Sequence, residues 1–212
     1  MQQREIFQII LGIIVLALVS AFEPILNLEF DAVLIALLFS AVIIITNILG
    51  KKVTASLLDS DVEHEIWQWQ RFGFKPGHHL PRSVPAGVIA PIFITAITTG
   101  LVKFMTILTY ETRALKRRAA RRFGPFSYAE ITDKHNAIIG AGGIIITLLV
   151  SFVSYWISGA EPLARLAAFY AFFNMLPFSK LDGTQIYAGS RVLWATLAII
   201  TLIFTGYALF LV

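Results

Sequence analysis

Long apolar runs alternate with short polar joints along this chain. A helix needs about 20 mostly apolar residues to cross the hydrocarbon core of a bilayer. Four runs approach that length, 6–22, 32–49, 137–158 and 192–212, and the last contains no charged residue. A fifth, 163–178, is interrupted by Arg165 and reaches Pro177, where a helix stops or kinks. The stretch 84–108 is apolar too, but Pro85, Gly87, Pro91 and Gly100 break it and Lys103 stands near its end.

The charges between these runs suggest an orientation. Lys51, Lys52, Arg71, Lys75 and Arg82 precede 84–108, and a basic segment, 111–130, follows it with Arg113, Lys116, Arg117, Arg118, Arg121 and Arg122. Loops rich in Lys and Arg stay on the cytoplasmic side, so both flanks point there and 84–108 reads as a re-entrant or interfacial hairpin. The joint holding Glu23, Glu29 and Asp31 has no Lys or Arg and fits the outside. The pattern therefore predicts an all-α polytopic membrane protein, a single membrane-embedded domain over 1–212. It has about five transmembrane helices plus the re-entrant or interfacial segment, and its N-terminus is cytoplasmic. Ser127-Tyr128-Ala129-Glu130 has the form of a capping box. Gly140, Gly142 and Gly143 allow a neighbouring helix to approach the third run closely.

Composition agrees. Hydrophobic residues make up 57% of the 212 and charged residues 14%, against roughly 25% charged in soluble domains; mean hydropathy is +0.76. The absence of cysteine excludes a disulfide framework, a Cys-ligated zinc site and thiol catalysis. The net charge of +4 is gathered in a few joints, which suits membrane orientation and anionic lipid headgroups and points to no nucleic-acid partner. The first run superficially resembles a signal peptide, but its start is barely basic and no small-x-small cleavage site follows, so an uncleaved span is expected.

One carboxylate stands out. Asp182 lies between two strongly apolar stretches, and an ionisable group at membrane depth is costly enough to be a functional candidate by default. It sits in Asn174-Met175-Leu176-Pro177-Phe178-Ser179-Lys180-Leu181-Asp182-Gly183. Pro177 can end one helix and Gly183 can relax the next turn, so that the carboxylate enters the bundle; the alternative is a helix-capping Asp bound to backbone N–H groups.

The spacing of Asn174, Pro177, Leu181, Asp182 and Gly183 resembles the Asn-x-x-Pro-x-x-x-Leu-Asp-Gly motif of the site-2 protease family of intramembrane zinc metalloproteases. The resemblance extends from about 138 to 193, with the Gly-rich third run in the place of the family's Gly-Pro helix, without the proline. It implies that Asp182 is a metal ligand, with zinc as the cofactor. In the family the other two ligands belong to a His-Glu-x-x-His helix, in which two histidines share one face and the glutamate activates a metal-bound water. The nearest match here is His64-Glu65-Ile66-Trp67-Gln68, which makes His64 a ligand and Glu65 the base and replaces the second histidine by Gln68.

The surroundings of that match differ from the family's hydrophobic helix. His64 follows Lys51-Lys52 and Asp59-Ser60-Asp61, about 20 Å past the end of the second span if the helix runs straight on. The competing reading is an amphipathic surface helix, with Ile66, Trp69 and Phe72 toward lipid or protein and Trp67 and Trp69 at the interface. His78 and His79 fall in a Pro-Gly turn, and His135 at the start of the third run; each reads as an exposed or interfacial histidine. Three functions follow: an intramembrane metalloprotease-like protein acting on transmembrane substrates, a catalytically inactive relative that binds other membrane proteins, and a small transporter or channel subunit.

Overall fold

The computed structural model describes residues 3–71, 79–115 and 131–210, without the side chains of Arg71 and His79. The basic residues 116–122, the capping box at 127–130, Phe72 and His78 lie outside the described residues. Eight helices and four strands are described: α1 (Gln3–Ser20), α2 (Phe22–Leu26), α3 (Phe30–Leu57), β1 (Ser60–Ile66), β2 (Trp69–Arg71), β3 (His79–Val84), α4 (Ala86–Ile97), β4 (Leu108–Ala114), α5 (Asp133–Tyr155), α6 (Glu161–Met175), α7 (Asp182–Gly189) and α8 (Arg191–Phe210).

Among the described residues, α1, α3, α5 and α8 are long and apolar enough to cross a membrane. They correspond to the four long apolar runs. The fifth expected stretch, 163–178, forms a helix of about that length, shifted by two or three residues toward the N-terminus. Helix α6 has 15 residues, about 22 Å at 1.5 Å per residue, which falls short of a hydrocarbon core of about 30 Å. It starts beside Pro162, ends before Pro177, and is buried along Ala164, Leu166, Ala167, Ala168, Tyr170 and Ala171 between α5 and α8.

The all-α expectation is corrected by two small antiparallel sheets. Strand β1 pairs with β4 from Ser60↔Ala114 to Ile66↔Leu108, and β2 pairs with β3. Among the described residues the surface helix expected around His64 to Phe72 does not form; 64–66 belong to strand β1 and 69–71 to β2. The reason is visible in Ser60-Asp61-Val62-Glu63-His64-Glu65-Ile66, where Ser60, Val62, His64 and Ile66 are buried and the residues between them are not. That is the period of two of a half-buried strand, and it outweighs the helical reading of the two tryptophans. The break itself falls at Asp59, which takes a left-handed φ of 49° just after α3 ends.

Segment 84–108 does form a hairpin. Helix α4 runs out from β3, and the chain then returns in extended form to β4. Both ends are tied to one residue: Trp67 N–H donates to the Ile107 carbonyl and the Trp67 carbonyl accepts from Gly87 N–H, each at 2.8 Å. The tip touches the far end of α1, where Lys103 Nζ donates to the Ser20 carbonyl at 3.3 Å.

Helix α5 is the central post. Its glycines face α3 so closely that a Cβ on Gly50 would stand 2.8 Å from the Gly142 carbonyl oxygen, and one on Gly143 would stand 2.7 Å from Lys51 Cε. The main core joins Leu16, Ile43, Ile44, Ile107 and Tyr170 from α1, α3, the hairpin and α6. Large apolar side chains such as Leu34, Leu38, Ile199 and Ile203 point outward instead, which is what a lipid-facing surface requires.

Candidate functional site

The buried ionisable side chains Glu5, Lys51, His64 and Asp182 are gathered at the end of the bundle that carries the sheets. Helix α6 stops at Met175, Leu176 leaves the helical conformation, and the chain turns through Pro177 to Leu181 before α7 starts at Asp182. The turn is held from outside by Trp67. Its indole Nε1 donates to Ser179 Oγ at 3.0 Å, and its ring meets the Phe178 ring edge-on. Gly183 is needed where it stands, because a Cβ there would collide with the Met175 carbonyl oxygen. Asp182 thereby points inward and is fully buried.

Its partner was not among the residues singled out in the sequence. Asp182 Oδ2 lies 2.6 Å from Lys51 Nζ, and both side chains are almost wholly buried. The ammonium also sits over the Tyr110 ring, 4.7 Å from its centroid, a favourable cation–π placement. Lys51 follows Asn47 by four residues, so both point from the same face of α3. Asn47 Nδ2 donates to Thr147 Oγ1 at 3.0 Å, and that hydroxyl donates to the Gly143 carbonyl at 2.9 Å. Tyr110, brought in by β4, donates its hydroxyl to the Asn136 carbonyl at 2.7 Å. Burial and the nearby Asp182 charge raise the Tyr110 phenol well above its ordinary value, so it stays a neutral donor.

The other motif residues surround this pair. Asn174 is buried, and its Nδ2 donates to the Tyr170 carbonyl at 2.8 Å. Leu181 is buried beside Trp67 and Ala86, whereas Pro177 is exposed at the turn. Among the described residues, Asn174 Oδ1 and Asp182 Oδ1 are buried without a hydrogen-bond partner. Asp182 is thus neither a helix cap bound to backbone N–H groups nor an isolated charge; it is one half of an ion pair.

His64 and Glu65 belong to a different arrangement. As neighbours on a strand they point to opposite faces, and the strand ends at Ile66 before Gln68, so the helix of a His-Glu-x-x-His motif does not form. Gln68 lies beyond the end of β1 and is exposed. His64 Nδ1 faces Glu5 Oε1 at 3.3 Å, and Lys52 Nζ meets the same oxygen at 2.8 Å. Glu5 itself is buried at the start of α1. Burial, assisted by the charges of Lys51 and Lys52, pushes the His64 imidazole down to about 2. The ring is therefore neutral, its Nδ1–H donates to Glu5, and its Nε2 is buried with no partner among the described residues. His79 opens β3, and His135 Nδ1 is hydrogen-bonded to Thr132 Oγ1 at the start of α5.

Among the described residues, no three His, Asp or Glu side chains converge in a way that could hold a metal ion. The two clusters are each complete as charge arrangements, Asp182 with Lys51 and Glu5 with Lys52 and His64. In the sequence the first cluster leaves only an asparagine and a lysine four residues apart at the end of an apolar run, which do not by themselves mark a site. Beside the first cluster a polar cleft of about 460 Å³ opens to the surface between β4 and α7, lined by Tyr110, Thr112, Asn136, Lys180 and Gln185 among others. Comparison with protein-family models, with curated proteins and with solved structures finds no match to this chain.

Proposed function

We propose that this is a site-2-protease-like membrane protein that works without a metal, binding segments of other membrane proteins rather than cutting them. The observation that carries this reading is the buried Lys51–Asp182 pair. Helix α3 is the helix that meets the aspartate, so it stands where the resemblance expects the histidine helix. Asn47 and Lys51 keep the i, i+4 spacing of the two histidines. Zinc is held by imidazole nitrogen, carboxylate oxygen or thiolate. An ammonium has no lone pair to give, and a neutral amide is a poor substitute. The donor set therefore does not fit zinc, and Lys51 supplies the positive charge that balances Asp182.

The binding half of the proposal rests on the cleft. Among the described residues β1 is the only strand paired with β4, and the Tyr110 carbonyl accepts a hydrogen bond from Gln185 Nε2 at 3.0 Å on the cleft side. The rest of that β4 edge, which pairs with no other described strand, lies beside a polar cleft and suits an extended segment that adds its own backbone hydrogen bonds. The N-terminus and the polar end of the bundle are assigned to the cytoplasmic side, in keeping with the Lys and Arg residues gathered there.

The test is metal analysis of purified protein. Wild type is expected to hold no stoichiometric zinc, whereas Asn47→His/Lys51→His should acquire it and lose it again when Asp182→Ala is added. Stoichiometric zinc in the wild type that disappears in Asp182→Ala would overturn the proposal and favour the metalloprotease reading. A photo-crosslinking side chain at Thr112 tests the binding half separately. It is expected to capture membrane-protein segments, and capture no different from that at exposed Val192 would count against the cleft.

A further inference from the structure

A second feature lies on another face of the bundle and runs toward the end of α1 that is far from Asp182. The hairpin tip, α6 and α8 enclose an apolar groove of about 690 Å³, walled by Leu101, Phe169, Phe172, Phe173, Leu202 and Leu209. Along α8 the wall runs from Leu202 to Leu209, about 10 Å of helix. At Gly206 the wall is open, since a Cβ there would meet nothing within 4 Å. The groove has one charged end, where Glu23 and Lys103 both belong to its lining.

We infer that this groove holds one phospholipid with an ethanolamine headgroup. Charge complementarity selects that occupant. Lys103 has three N–H donors, one of which goes to the Ser20 carbonyl, and its ammonium suits a phosphate. Glu23 is exposed just after the end of α1, and its carboxylate lies against the hairpin tip at Gly100, where it suits a primary ammonium. An acyl chain then runs inward along the phenylalanines. An apolar transmembrane helix would cover the same wall but bring neither an anion to Lys103 nor a cation to Glu23. A choline headgroup carries its charge without an N–H, and a glycerol headgroup carries no cation, so each satisfies only part of the charged end.

Native mass spectrometry of the full chain in detergent tests this, with palmitoyl-oleoyl phosphatidylethanolamine, phosphatidylcholine and phosphatidylglycerol offered in turn. Wild type is expected to retain one phosphatidylethanolamine, about fivefold more than either other lipid, the gain of one charge-assisted hydrogen bond at an exposed site. Glu23→Gln, a surface change that leaves packing intact, should bring phosphatidylethanolamine down to the phosphatidylcholine level. Gly206→Phe, which fills the open wall, should abolish retention of all three. Equal retention of the three lipids by wild type, as expected of an adventitious lipid, would overturn the inference. So would an unchanged preference in Glu23→Gln, or a protein dimer in place of the lipid adduct.

Discussion

A lysine and an aspartate buried together cost more to desolvate than their attraction returns, unless the geometry is close. The 2.6 Å contact between Lys51 and Asp182, with the Tyr110 ring against the ammonium, meets that condition, and it makes each partner dependent on the other. Asp182→Ala or Lys51→Ala alone leaves an uncompensated buried charge and should lower unfolding stability in micelles by about 3–5 kcal/mol. Lys51→Met/Asp182→Leu removes both charges and should recover most of the loss. A double variant as unstable as the two singles combined would show that the pair is not the relevant coupling. His64 makes a second prediction, on pH. Its folded imidazole titrates at about 2, well below its ordinary 6.5, chiefly through burial. The folded state therefore binds fewer protons than the unfolded chain between those values. Stability is fully present above pH 6.5 and is lost as pH falls toward 2. At pH 4.5 the loss from this group is about 2–3 kcal/mol. His64→Gln should flatten the fall in melting temperature between pH 7 and 4.5, and an unchanged slope would remove His64 from the account. Of these residues Asp182 was legible in the sequence, because a lone carboxylate between apolar runs is conspicuous. Lys51 was not, because a lysine at the end of an apolar run also fits an interfacial flank, and only the crossing of α3 and α5 turns it inward.

At the level of elements, what could be read was the sum of hydrophobicity, and what could not was its local period. The runs that became α1, α3, α5 and α8 announce themselves by length. Strand β1 announces itself only by alternation, which a search for a His-Glu-x-x-His helix overrides. The turn from α6 into α7 shows the opposite case, where a short motif dictates geometry. Pro177 lies in the turn between the two helices, and Gly183, in the first turn of α7, lies so near the Met175 carbonyl that no side chain fits. Gly183→Ala should therefore displace the turn that aims Asp182 and destabilise the protein by more than the helix-propensity gain of up to about 1 kcal/mol. Gly206→Ala, in open space on α8, should show that gain alone. Thermal melts of the two variants side by side separate the backbone collision from propensity, and equal effects would refute the role given to Gly183.

For the whole molecule the decisive geometry is the convergence on Trp67. A chain that leaves at Gly87 and returns at Ile107 to hydrogen bonds on one residue cannot deliver its two flanks to opposite faces of a membrane. The basic flanks led to the same expectation from sequence by the charge rule, and labelling from the two sides of a membrane tests it. The same geometry puts the start of α1, the end of α3 and both sheets at one end of the bundle, since Glu5 reaches Lys52 and His64 there. The joint between α2 and α3 falls at the other end, where exposed Asn27 sits. Because the chain has no cysteine, single-cysteine reporters can read this arrangement without a background. Asp61→Cys and Arg82→Cys, both exposed, should react with a membrane-impermeant maleimide from the same face, the cytoplasmic one, and Asn27→Cys from the other. Labelling of Asp61→Cys and Arg82→Cys from opposite faces is incompatible with the sheets sharing one end of the bundle. Labelling of all three from the expected faces in reverse would keep the hairpin and invert the orientation, so the fold and its direction in the membrane are tested by separate outcomes of one experiment.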